Sequence, residues 1–136
     1  MATVQIFNSF KEAAPEKVHN LGSDTLKFML SNVSPSLANT VFTDITEIAA
    51  GNGYVAGGSA VTVTSSAQTG GTYSLVLDNL VFTASGGSFA DFRYVVLYND
   101  TAATDELIGF IDYGSSYTLT TGNTFTILAG TFFTNA

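Results

Sequence analysis

From Ala60 onward the chain is a run of short, apolar, β-prone segments cut by glycine or Asx-rich breaks. The segments are Ala60 to Ser65, Thr72 to Leu77, Leu80 to Ser85, Phe92 to Asn99, Leu107 to Asp112, Tyr117 to Thr120 and Thr124 to Leu128. Gly70-Gly71, Asp78-Asn79, Gly86-Gly87, Gly114 and Gly122-Asn123 stand between them. Short strands at even spacing with turn chemistry between them predict a mainly β, antiparallel fold, a β-sandwich or jelly-roll-like barrel. No repeat or linker divides the chain, so residues 1–136 read as a single β-rich domain.

Phe92 to Asn99 places Phe92, Tyr94, Val96 and Tyr98 on one face and Arg93, Val95 and Leu97 on the other. Both faces are largely apolar, which predicts a central strand. Thr25 to Leu30 alternates as a half-buried strand, and the Gly22-Ser23-Asp24 turn offers Lys17 to Leu21 as its partner. Ser31 to Asn39 is a loop by composition. One short helix is expected at Asp44 to Ala50. Asp44 is a cap, Glu47 completes a capping box, Ile45, Ile48 and Ala49 form a stripe, and Gly51 is a stop. Gly51 to Gly58 then reads as a flexible connector. Val4 to Phe10 is a short strand or docking arm, with residues 1–14 as the arm's extent. Lys11 to Ala14 has room for one helical turn, which Pro15 opposes.

Charge excludes several functions. Charged residues are 11% of the chain and the net charge is -7, with only Lys11, Lys17, Lys27 and Arg93 basic. Nucleic-acid binders need a basic footprint, and anionic membrane surfaces repel such a chain. No apolar run reaches a membrane span, and the first residues lack the pattern of a signal peptide. Ser and Thr supply 32 residues, which suits exposed sheet faces and subunits covered by neighbours. Without Cys, no disulfide or thiolate metal site exists.

Catalytic side chains are scarce. His19 is the only histidine, and no nucleophile elbow accompanies it; such a residue is more often a hydrogen-bonded turn residue. Gly51 to Gly58 lacks the Lys-Ser/Thr ending of a phosphate loop. The acidic loop Asn99 to Glu106 offers Asp100, Asp105 and Glu106 as a weak Ca²⁺ site, with Asp112 nearby, against the alternative of Asx turns closing a hairpin. No catalytic residue and no cofactor are expected. The interface candidates are Val4, Ile6 and Phe7 in the arm. Tyr54, Phe89, Tyr113 and Tyr117 join them beside glycines or at strand ends, with Phe132 and Phe133 in the apolar tail. That tail is more simply the last strand of the core.

Three stretches resemble small virion structural proteins of tailed bacteriophages: VHNLGSDTLKFMLSN (Val18 to Asn32), TDITEIAAGNGYVAGG (Thr43 to Gly58) and FRYVVLYNDTAATDELIGFIDYGSS (Phe92 to Ser116). They fall in the same order in that family. The resemblance implies a β-rich particle subunit and carries over no catalytic residue. Ala13-Ala14-Pro15 departs from the more helix-compatible segment of that family, which weighs against the N-terminal helix but not against the resemblance. With no coiled-coil heptad or shaft repeat, a capsid decoration (cement) protein is the first expectation. It would be a dimer or trimer on the capsid surface, made in the host cytoplasm, with the major capsid protein or other virion subunits as partners. The alternative is a tail or fibre module that binds a receptor or glycan. A cell-wall hydrolase is a distant third.

Overall fold

A computed structural model describes residues 4–135 as antiparallel sheets with very little helix. The first sheet has the order β1-β8-β7-β2-β3, from Val4–Ile6 (β1), Leu26–Ser31 (β2), Ser59–Val61 (β3), Phe92–Asn99 (β7) and Leu107–Tyr117 (β8). β7 is its middle strand, as its two apolar faces require. Val95, Val96 and Leu97 are wholly buried, with Val95 and Leu97 in one core and Val96 in another. A register shift between Phe92 and Tyr94 corrects the simple alternation. It turns Phe92 to the Val95 side, while Tyr94 stays with Val96.

The second layer joins a three-stranded sheet, β10-β5-β4, and a two-stranded sheet, β6-β9. The strands are Val63–Thr69 (β4), Thr72–Leu77 (β5), Leu80–Thr83 (β6), Thr124–Ile127 (β9) and Gly130–Asn135 (β10). The larger core lies between the layers. Leu26, Phe28 and Leu30 of β2 meet Leu75, Leu77, Phe82, Ile127 and Phe132 there, and Phe28 and Phe132 stack edge-on at 5.8 Å. The arrangement is a β-sandwich. The apolar tail is its last strand, with Phe132 buried. A smaller core of Phe7, Met29, Ile45, Tyr94, Val96, Tyr98, Leu107 and Phe110 fills the other face of the first sheet. β2 is therefore buried on both faces rather than one.

Several local expectations are corrected. The helix lies at Asn8–Ala13 (α1), not at Asp44 to Ala50. Ala14 keeps helical angles before Pro15, which has no N–H to donate, and past it the Glu16 N–H reaches Glu12 O at 3.3 Å as the chain turns away. At Asp44 the carboxylate accepts from the Thr40 and Val41 N–H groups and closes a 3-10 turn, Phe42–Asp44. Ile45 and Ile48 then enter different cores, and the Ile48 N–H bonds Leu30 O along β2. A two-turn helix has too little stability of its own to resist these tertiary bonds. β2 pairs with β3 and β7, not with Lys17 to Leu21. Tyr117 ends β8, and no separate strand runs to Thr120.

The proposed arm is also part of the fold. Val4–Ile6 pairs with Ile111, Phe110 and Gly109 of β8, and Phe7 is fully buried. Residues 1–3 of that arm lie outside the described residues. The glycine-rich connector is tightly fitted: a Cβ on Gly58, whose φ is +79°, would lie 1.9 Å from Phe28 O. Only glycine allows β3 to start so close to β2.

Candidate functional site

Polar side chains gather where the acidic hairpin loop meets the turn before β2. Asn99 is fully buried at the end of β7. Its amide donates to Asp24 Oδ2 (2.7 Å) and to His19 Nδ1 (2.9 Å). Its carbonyl oxygen accepts from the Thr101 and Ala102 N–H groups at 2.9 and 3.2 Å, which closes the loop as an Asx turn. His19 is thus a structural histidine. Burial lowers its pKa, against the opposing charges of Glu106 and Asp24. Among the described residues, Asn99 is the hydrogen-bond partner of its ring.

The acidic loop scatters its carboxylates. Asp100 forms an ion pair with Lys27 at 3.3 Å. Asp105 adopts a left-handed φ of 53°, and its carbonyl accepts the Phe42 N–H. Burial, and then the Asp100 and Glu106 charges, raise its pKa. Glu106 accepts from the Thr104 hydroxyl. Asp112 is held by Arg93 at 2.8 Å, and that hydrogen bond lowers its pKa. Among the described residues, no three carboxylates or histidines are placed to share a metal ion. No helix there is long and apolar enough to cross a membrane.

Most of the interface candidates face inward. Tyr54 and Phe89 are buried against Phe82. The Tyr54 hydroxyl donates to Glu47 Oε2 at 2.5 Å and accepts the Leu30 N–H at 3.1 Å. Phe7 and Phe132 are buried, and Val4, Ile6 and Phe133 pack partly against the main core. Gly53 before Tyr54 and Gly87 near Phe89 take positive φ and turn the chain, and both rings stay buried. Tyr117, 47% exposed, and half-buried Tyr113 remain at the surface. Both rings rest on Phe125, with centroids 5.5 and 5.3 Å away.

The sequence reading missed a separation of charge between the layers. β4, β5, β6, β9 and β10 contain no charged side chain. Pairing across the three-stranded sheet sets its outer face: Ser65, Ala67 and Thr69 of β4, Thr72, Ser74 and Val76 of β5, and Thr131 and Thr134 of β10. This is a face of hydroxyls and small apolar groups. Its rim strand β4 carries no lysine or proline to deter pairing. The signal was present in the sequence. Between Gly51 and Ala90 the single charged residue is Asp78, and none follows Asp112. Comparison of the chain with protein-family models, with curated proteins and with solved structures returned no match.

Proposed function

We propose that the chain is a non-enzymatic structural subunit of a tailed-phage particle, a capsid decoration protein that strengthens the shell by packing against its neighbours. The observation that carries this reading is the charge-free outer layer. A subunit of net charge -7 repels copies of itself through its charged faces. It meets them at least electrostatic cost through an uncharged face, because interface cores are depleted of charged residues. The three phage-like stretches support the same reading. On it, the protein is a dimer or trimer on the capsid surface, and its partners are the major capsid protein or other virion subunits. It needs no cofactor, nucleic acid or membrane.

Counting copies of the chain in purified particles by quantitative mass spectrometry tests this. Hundreds of copies per particle are expected. A few dozen at most would move the chain to the tail, and none would overturn the proposal. Tyr117 above Phe125 favours one second reading, a tail or fibre module, because exposed aromatic rings stack on sugars. Glycan-array binding lost in Tyr117→Ala, without capsid affinity, would support that reading instead.

A further inference from the structure

An open groove of about 1170 Å³ lies at one end of the sandwich, between the inner face of the three-stranded sheet and α1 with the turns that follow it. Ala14, Pro15, Leu21 and Phe133 supply its apolar surface, and the buried Phe10 ring beneath meets Phe133 edge-on at 5.2 Å. Asn20, Tyr73 and Asn135 add amide and hydroxyl groups. Lys11, from the last turn of α1, and Lys17, in the turn beyond it, line the same groove.

These two lysines have a distinctive place in the charge distribution. Of the chain's four basic side chains, Lys27 is paired with Asp100 and Arg93 with Asp112. Lys11 and Lys17 pair with no carboxylate among the described residues. An acidic chain therefore presents both of its uncommitted cations at one apolar groove. Two ammonium groups from different turns match a ligand with more than one carboxylate. The Asn20 and Asn135 side chains are exposed at the groove, where an alkyl chain offers their amides no hydrogen-bond partner. A peptide satisfies both amides with its own backbone.

From this we infer that the groove takes a peptide segment of a partner subunit in which apolar and acidic side chains alternate. The inference rests on the reading of the protein as a packing subunit and names the chemistry of its partner at one site.

The test uses the full chain and an end-blocked octapeptide of alternating glutamate and leucine. The matching lysine–leucine peptide and dodecanoate serve as controls, with backbone amide shifts as the readout. The glutamate–leucine peptide is expected to bind at least tenfold more tightly than either control, moving the signals of Lys11, Lys17, Leu21 and Phe133. In Lys11→Glu/Lys17→Glu the preference over the lysine–leucine peptide should vanish. Both lysines are exposed, so the variant should keep wild-type melting behaviour. No binding of the acidic peptide at about 1 mM, a weak-affinity ceiling of roughly -4 kcal/mol, would overturn the inference. So would equal binding of the two peptides, or tighter binding of dodecanoate. Dissociation of a homo-oligomer by the double variant would likewise overturn it, by assigning the groove to a second copy. None of these outcomes alters the copy number per particle, so the two proposals fail separately.

Discussion

The buried Asn99 amide donates to His19 Nδ1 at 2.9 Å and joins two residues 80 positions apart in the chain. Because Nδ1 accepts, the neutral ring carries its proton on Nε2. Burial is the largest influence on His19 and lowers its pKa below the ordinary 6.5. The unfolded chain therefore takes up this proton before the folded one does. Stability from neutral His19 is fully present above about pH 6.5 and declines as pH falls through and below it. Thermal melting from pH 7.5 to 5 should show a falling midpoint, and His19→Gln should flatten that fall. Parallel curves for the two proteins would exclude His19 as the source.

Val96 is among the most sensitive positions on the central strand. It is fully buried among Met29, Tyr98 and Phe110 in the smaller core. Val96→Asp places a carboxylate there without a cation, and losses of roughly 4 kcal/mol or more are expected from such burial. Wild-type melting of this variant would contradict the placement of β7.

Gly58 and Gly70 separate close approach from conformational freedom. Both have positive φ, but a Cβ on Gly70 meets nothing within 4 Å, whereas one on Gly58 overlaps the Phe28 carbonyl. Gly70→Ala should cost only the left-handed strain of about 1–2 kcal/mol. Gly58→Ala must also displace β2 and should cost clearly more. Denaturant unfolding of the two variants checks the order.

Tyr54→Phe removes one hydroxyl that serves two groups. The Leu30 N–H loses its acceptor, and Glu47 keeps only the Gly57 N–H at 2.7 Å. Leaving a buried donor unpaired costs about 1–3 kcal/mol. A variant as stable as wild type would show that Tyr54 contributes only its ring.

The strands were legible because both faces of Phe92 to Asn99 are apolar and glycine pairs mark the turns. The helix was not. Asp44 and Glu47 have capping-box spacing, yet the Asp44 carboxylate turns back to the Thr40 and Val41 N–H groups, and Glu47 is drawn forward to Tyr54 and Gly57, beyond the reach of a helix turn. Tyr54 and Phe89 were misread for a related reason. Glycine beside an aromatic signals a turn, but the turn here aims the ring inward. The groove escaped notice because Lys11, Tyr73 and Phe133 come from three distant segments. The uncharged layer was open to view as two long gaps between charges, and recognising it needed only the strand pairing.

The central claim is that the uncharged layer is the surface by which the protein packs into a particle. The direct measurement is the copy number, in purified particles, of a variant with Ser65→Lys and Val76→Lys, which pair across β4 and β5 on the outer face. Asp91→Lys, an exposed change outside that layer, is the control, and melting curves confirm that all three proteins fold. The account predicts at least a tenfold loss of incorporation for the double variant and none for the control. Full incorporation of the folded double variant would contradict it.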